Sequence, residues 1–367
     1  MSTKNPKGSS KMMRLALAAG AIGAHAILFA PFAVKAQSVQ WTYASGWPKE
    51  HVQVGVIADE WIRRIEVATE GRVKIRHVPS GTLLKPEAIL DGVRKGVANC
   101  GPWVTGYKPG ALPITTTLMG SMDLDTGSKL DIKGITAISN RLFAESAPFR
   151  KEFEDLGLRV MMWVPTTPYS IISKKPTKLL ADLNGQKLRS FGTVLPKLQT
   201  AMGAVPVSVA NAEMYTSIQT GVIDGAMTDL PQMVTARLYE VAKNIMLTGP
   251  GLGTNLAGAS VVYICNEESL KAISESDRQK IANVTLDMPG YISKAMSDVS
   301  ISALNELKAK GVVVTNLSDS EIVTLKAKVP LFDNSAKELD AQGLPGTALS
   351  IRYRQLASEY LSGAWKP

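Results

Sequence analysis

Apolar and polar positions along this chain fall into short blocks whose period switches between two and about three and a half. Residues 39–45 read as a strand, and Gly46-Trp47-Pro48 follows as a turn. Residues 52–69 carry Val56, Ala58, Ile62 and Ile65 at helical spacing, and Gly71 ends that helix. Arg72-Val73-Lys74-Ile75-Arg76 alternates as a half-buried strand does. Pro79-Ser80-Gly81 turns the chain, Pro86-Glu87 opens a helix that Gly96 closes, and residues 97–100 form the next strand. Strand, helix, strand, helix, strand predicts a parallel sheet with helical cover.

The middle of the chain repeats this logic. Residues 130–153 are mainly helical, 158–164 form a strongly apolar strand, and 169–173 form another. A short strand at 186–190 leads to a helix over 194–202, which Gly203 ends before Val205-Pro206-Val207. Helix 212–220 precedes strand 222–226, and strands follow at 244–247 and 257–265. From Ser274 the pattern is helical, broken by a strand at 311–314. No period of about 20 to 50 residues recurs, which excludes a solenoid.

One block stands apart. Lys4, Lys7, Lys11 and Arg14 precede an apolar run from Leu15 to about Val34, and the segment ends Val34-Lys35-Ala36. A basic start, an apolar middle and small residues before a cut describe a secretory signal, cleaved near Ala36. The competing reading is a membrane anchor, since the run approaches the ~20 residues a span needs. His25, Pro31 and the cleavage pattern weigh against it. No Arg-Arg pair precedes the run and no Cys follows it, so the general secretory route is expected rather than the twin-arginine route or a lipid anchor. A periplasmic location follows, with the working chain starting near Gln37.

Composition changes the picture in three places. The chain has 367 residues, enough after cleavage for two domains with their own cores. The net charge of +9 is partly targeting, because five basic and no acidic side chains lie in residues 1–36, which leaves +4. That mild excess is no nucleic-acid footprint, though it favours anionic ligands. Cys100 and Cys265 sit in apolar strand-like runs. They can bridge in an oxidising compartment, but two cysteines make no disulfide framework, and buried free thiols are the default.

The chemistry-bearing residues are sparse. Three histidines exist, and only His51 and His77 outlast the signal. No cluster has metal-ligand spacing, no metal or cofactor is implied, and no P-loop, GxSxG or GxGxxG stands in a suitable context. Gly249-Pro250-Gly251-Leu252-Gly253 reads as a turn or hinge. The chain reads as a binder rather than an enzyme.

Several segments then point to one family. Asp182-Leu183-Asn184-Gly185-Gln186-Lys187-Leu188-Arg189 resembles the DLxGxKxR segment of the DctP-type solute-binding proteins of tripartite ATP-independent periplasmic (TRAP) transporters. Met202-Gly203-Ala204-Val205-Pro206-Val207 and the run from Glu213 to Gly225 are similar to that family's GAxPVxxxxxExYxxLQxGxxDG stretch. Glu70-Gly71-Arg72-Val73 before Pro79-Ser80-Gly81-Thr82-Leu83, and Leu238-Tyr239-Glu240-Val241, match further family segments in the right order.

The resemblance implies an α/β fold of two domains, like a type II periplasmic binding protein, with crossover strands and a long bridging helix. Domain I is expected over 37–166 plus about 254–293, and domain II over 167–253 plus about 294–345. A C-terminal helix, about 346–367, packs back on domain I. A small organic anion binds between the domains, and the closed monomer docks on the TRAP membrane subunits. Arg189 occupies the place of the arginine that pairs with the ligand carboxylate, as a planar fork can. Many relatives carry a second arginine where this chain has Tyr169, which donates one hydrogen bond and carries no charge. Asn211, Glu213, Thr228 and Asp229 are further cleft candidates by position, many relatives having Asn at the place of Thr228. Asp224 is expected to shape a turn. Trp47, Trp103 and Tyr107 lie at strand ends and are candidates to stack on the ligand. Without the second arginine, and with these aromatics, the ligand leans towards a monocarboxylate, aromatic acids included, over a dicarboxylate or sugar acid. An exported hydrolase using the same cleft, or a sensor subunit, are the alternative functions.

Overall fold

Eleven strands pair into two sheets among the residues that the structure, a computed structural model, describes: 38–108, 110–121, 130–249, 251–252 and 260–365. The expected export signal, residues 1–36, lies outside them, as do positions 250 and 253 of the glycine-rich segment and 257–259 of an expected strand. No helix of the described residues is long and apolar enough to cross a membrane.

The first sheet holds β1 (Val39–Ala44), β2 (Val73–Val78), β3 (Cys100–Val104), β4 (Leu158–Pro165) and β10 (Ser260–Asn266), in the order β2-β1-β3-β10-β4. β1 runs parallel to β2 and β3, as the alternating blocks predict, whereas β10 is antiparallel to both β3 and β4. The second sheet holds β5 (Tyr169–Ser173), β6 (Lys187–Ser190), β7 (Val205–Ser208), β8 (Gly225–Asp229), β9 (Asn244–Leu247) and β11 (Val313–Asn316), in the order β11-β9-β5-β8-β6-β7. The chain passes from the first sheet to the second through only three residues, Thr166-Thr167-Pro168, and returns between β9 and β10.

Each sheet buries both faces. Residue alternation in β3 and β10 sends Trp103, Val262 and Ile264 to one side of the first sheet, and Cys100, Val104, Val261 and Tyr263 to the other. The helix Met288–Ala309 ties the two halves together. Its Met288, Ile292 and Met296 join the core of the first sheet, while Ala303 and Leu307 join that of the second. The helices Leu331–Asp340 and Gly346–Leu361 return to the first sheet through Phe332, Leu339, Tyr353 and Leu356.

Several boundaries differ from the sequence pattern: the strand expected over 222–226 runs over Gly225–Asp229, which carries Thr228 and Asp229 inside it, and three others bear on the packing. The helix expected over 130–153 is two helices, Ile132–Glu145 and Ala147–Glu154, because Ser146 caps the second by accepting from the Phe149 N–H, with Pro148 in its first turn. The helix expected from residue 52 becomes regular only at Ile57. The third strand runs over Cys100–Val104 rather than 97–100, so Trp103 lies inside it.

Cys100 and Cys265 face each other on antiparallel β3 and β10 and are joined by a disulfide, with no free cysteine among the described residues. This corrects the expectation of buried free thiols. The two strands become neighbours only through the return crossing, 165 residues later, which no local pattern reveals. A bridge closing so long a loop restricts the unfolded chain and contributes about 2–4 kcal/mol. The Cys100→Ser/Cys265→Ser double variant is expected to melt several degrees below the parent under non-reducing conditions. Reductant should lower the melting temperature of the parent and leave that of the double variant unmoved, as measured by differential scanning calorimetry.

Candidate functional site

Beyond the carboxyl ends of β1, β3, β6 and β8 the two halves face each other across a narrow cleft with a free volume of about 50 Å³. That is where open α/β sheets leave room for a ligand. The first half contributes Trp47, His51, Gln53, Val54, Val104, Tyr107 and Val261. The second contributes Tyr169, Arg189, Phe191, Asn211, Thr228, Asp229 and Gln232, with Thr166 between them on the crossing segment.

The segment from Asp182 to Arg189 folds as its residue types demand. Asp182 accepts the backbone N–H groups of Lys178 and Leu179 at 2.7 and 3.0 Å, which fixes the turn before it. Gly185 supplies a positive φ of 72° that side chains resist. Asp224 accepts the Lys187 N–H at 2.8 Å, so it shapes the start of β6. Arg189 then lies at the carboxyl end of β6, between β7 and β8 in register with Val207 and Ala226.

Arg189 is 2% exposed. Its Nε–H donates to the Val209 carbonyl oxygen at 3.2 Å, and its guanidinium carbon stands 4.3 Å from the centre of the Phe191 ring. The Gln199 amide donates to the Arg189 carbonyl oxygen at 2.8 Å, pinning the backbone beneath. Among the described residues its terminal nitrogens have no hydrogen-bond or ion-pair partner. Burial lowers its pKa from the ordinary value, an effect that Tyr169, Tyr107 and Asp229 oppose. The fork is thus buried, held at its Nε, and without a protein partner at its terminal nitrogens among the described residues.

Asp229 caps the helix Leu230–Thr235, its Oδ1 accepting the Gln232 N–H at 2.8 Å. Its Oδ2 has no partner among the described residues, and no ion pair joins it to Arg189. Burial pushes its carboxyl up to about 6, which the Gln232 N–H and Arg189 offset only in part. Burial pulls His51 down to about 4, so its imidazole is neutral at pH 7. The His51 Nδ1 and the Thr166 hydroxyl are closed to solvent and unpartnered. Gln53 holds the His51 loop against the crossing by donating to the Pro165 carbonyl oxygen at 3.2 Å, while the Tyr263 hydroxyl donates to the Gln53 carbonyl oxygen at 2.5 Å.

Aromatic rings line the cleft from both halves. Trp47 and Tyr107 stack with centroids 6.0 Å apart and planes 11° from parallel. Tyr107 meets Phe191 across the gap at 6.0 Å, and Phe191 meets Tyr169 at 6.3 Å. Burial raises the pKa of both tyrosines, which stay neutral donors. The halves touch closely here: a Cβ on Gly106 would stand 2.7 Å from the Phe191 ring, and the Thr193 hydroxyl donates to the Thr116 carbonyl oxygen at 3.2 Å.

Of the residues singled out in the sequence, the structure brings Trp47, Tyr107, Tyr169, Arg189, Asn211, Thr228 and Asp229 to this cleft. It does not bring Trp103 or Glu213. Trp103 points to the other face of β3, buried edge-on against Phe153 at 6.2 Å, because the strand runs past it and alternation turns it inward. Glu213 is exposed in the turn before the helix Met214–Gln219, where the chain has already left the cleft. Sequence reasoning missed His51, Gln53, Thr166, Phe191 and Gln232 as cleft residues. Phe191 was accessible as the residue two beyond Arg189, on the same side of the chain; Thr166 required knowing where the halves join. Among the described residues no group of three His, Cys, Asp or Glu side chains converges as a metal would need.

Comparison with known proteins places this geometry in context. The family described as DctP, bacterial extracellular solute-binding protein, family 7, matches over residues 43–337. The ectoine-binding periplasmic protein TeaA of Halomonas elongata is 24% identical over 316 residues, covering 84% of this chain and 87% of that one. A TRAP solute-binding protein from a marine metagenome, specific for aromatic acids and crystallised with 3-hydroxybenzoate, superimposes with a TM-score of 0.79 at 22% identity, covering 88% of this chain and 99% of that one. One from Rhodoferax ferrireducens, holding copurified benzoate, gives 0.78 at 19% identity over 89% of this chain and 100% of that one. The similarity to the solved structures confirms the two-domain α/β fold.

The two buried titrating groups pull stability in opposite directions. His51 binds fewer protons folded than unfolded between about pH 4 and its ordinary 6.5, so its contribution is intact above 6.5 and is lost as pH falls. Asp229 binds more protons folded than unfolded between its ordinary 3.8 and about 6, so its contribution is intact below 3.8 and is lost as pH rises through 6. In ligand-free protein between about pH 4 and 6, Asp229→Asn should make the melting temperature climb more steeply with pH than in the parent. His51→Gln should flatten the climb. Thermal melts at half-unit pH steps test both signs.

Proposed function

We propose that this chain, which belongs to the bacterial extracellular solute-binding proteins of family 7, is an extracytoplasmic receptor that closes on a small organic acid and hands it to a TRAP-type membrane transporter. The observation that carries the acid is Arg189: a permanent positive charge, buried, oriented and without a counterion. An isolated buried ion costs several kcal/mol. A ligand carboxylate meets the two free terminal nitrogens in the geometry for which a guanidinium is shaped. The names of relatives agree in kind, with benzoate and 3-hydroxybenzoate in structural neighbours.

The mechanism is closure rather than chemistry. The open form exposes Arg189 to water; the ligand touches both halves and so favours the form in which they meet. The close approach at Gly106 and Phe191 supports reading the structure as the closed arrangement. We place one lobe at 37–166 plus about 254–293 and the other at 167–253 plus about 294–330. The helix Leu331–Asp340 rejoins the first lobe because its Phe332, Ala336 and Leu339 lie in that core. The receptor works as a single chain, freed of residues 1–36 by cleavage near Ala36.

Titration calorimetry with benzoate and 3-hydroxybenzoate, on protein freed of copurified ligand by unfolding and refolding, tests the anchor. Losing one partner of a buried charge pair costs about 2–5 kcal/mol, so Arg189→Ala should weaken binding at least about 30-fold. Arg189→Lys keeps the charge without the planar fork and should recover only part of it. Unchanged affinity in the alanine variant removes Arg189 from this role.

A further inference from the structure

One cleft holds two buried ions of opposite sign that do not meet. Arg189 has its terminal nitrogens free, Asp229 has its Oδ2 free, and no ion pair joins them among the described residues. Had the fold needed only to neutralise these charges, pairing them would be the inexpensive arrangement, since a lone buried ion is costly. Kept apart, each leaves a polar atom in the cleft that no protein group among the described residues meets and that a ligand can meet. The guanidinium accepts a carboxylate; the carboxylate of Asp229 accepts an N–H or O–H. The lining contains no second arginine or lysine to receive another acid group. Tyr169 offers an uncharged hydroxyl to the cleft. Trp47, Tyr107, Phe191 and Tyr169 line the same cleft as the two ions and pack against one another.

We propose that Asp229 reads a hydrogen-bond donor on the ligand opposite its carboxylate, so that the receptor selects flat-ring monocarboxylic acids bearing a hydroxyl or a protonated nitrogen over plain ring acids and over dicarboxylates. This rests on the receptor reading above and adds the group that decides between acids. The geometry is that of a bipolar clamp: acid end on Arg189, donor end on Asp229, ring between the aromatic faces. Burial raises the carboxyl of Asp229, and a ligand donor at its Oδ2 would stabilise the ionised form and lower it again. The His51 Nδ1 and the Thr166 hydroxyl, both unpartnered, offer further polar contacts around the ring. A second acid group on the ligand would face Asp229 in a dry cleft, where like charges repel.

The test compares benzoate, 3-hydroxybenzoate, 3-(aminomethyl)benzoate and isophthalate by calorimetry at pH 7.5, on the parent and on Asp229→Asn, Asp229→Ser and Arg189→Ala. Asn and Ser both cap a helix well, so the turn at Leu230 should survive in each, as circular dichroism checks. A hydrogen bond to a charged group predicts that the hydroxyl or ammonium acid binds the parent about 10- to 100-fold more tightly than benzoate, with isophthalate weaker than benzoate. The hydroxyl and ammonium arms separate a neutral from a cationic donor. In both Asp229 variants the preference over benzoate should fall to within about threefold, and isophthalate should gain. A preference that survives in both variants, benzoate bound by the parent as tightly as the donor-bearing acids, or neither of these bound, overturns the proposal. Arg189→Ala is read separately: intact binding there defeats the anchor, whereas loss there with no effect at Asp229 defeats only the donor reading.

Discussion

A buried guanidinium without a counterion is the constraint around which this molecule is arranged. Leaving such a charge unpaired in a buried site is costly, so the surroundings must hold it by other means. They do so from three directions. The Val209 carbonyl takes the Nε–H, Phe191 lies against the face of the fork, and Gln199 grips the Arg189 carbonyl from the helix Val194–Ala201. None of these satisfies the terminal nitrogens, and the backbone of Arg189 lies in β6, a strand paired on both sides by β7 and β8. Rigidity at the anchor is therefore inherited from the sheet rather than from the side chain's own contacts. A ligand meeting it loses little to reorganisation, which is where preorganised sites gain affinity.

The covalent and packing ties lie where they stiffen each half and leave the cleft to close. The disulfide joins β3 to β10 within the first sheet and crosses no gap between the halves. The direct link Thr166-Thr167-Pro168 is short, and Thr166 itself faces the cleft, so the joint and the site share a residue. The helix Met288–Ala309 contributes to both cores and sets how far the halves can part. At the mouth, Gly106 is required by contact: any side chain there would displace the Phe191 ring that supports Arg189. Closure and charge placement thus depend on one aromatic residue.

The alternation of blocks carried most of the fold, because strands and helices here are amphipathic in the ordinary way and their ends are marked by glycine and capping residues. Parallel β1, β2 and β3 were legible from strand-helix-strand order; antiparallel β10 was not, since it arrives from 165 residues away, and the disulfide was hidden with it. Arg189, Asn211, Thr228 and Asp229 were visible through the ordered family-like segments around them, and Trp47 and Tyr107 through strand-end logic. Trp103 misled because a strand boundary moved by a few residues, and one added position turns a side chain to the opposite face. Glu213 misled because a turn can point a side chain anywhere. His51, Gln53 and Thr166 were beyond reach, as they become neighbours of Arg189 only when two distant halves meet.

The lining carries no lysine or arginine other than Arg189, and Tyr169 is an uncharged donor. With tyrosine, the fixed charges of the lining cancel: one arginine, one aspartate, and a histidine that burial keeps neutral. A cleft whose ions cancel yet stay apart has a dipole rather than a net charge. Such a field does little to draw anions from a distance, because the two opposite charges offset each other and salt screens what remains beyond a Debye length of about 8 Å. Discrimination is then made after encounter, inside the closing cleft, by whether the ligand's own polarity runs the right way between Arg189 and Asp229. The same two ions that cost the empty protein stability become the measure by which it tells one acid from another.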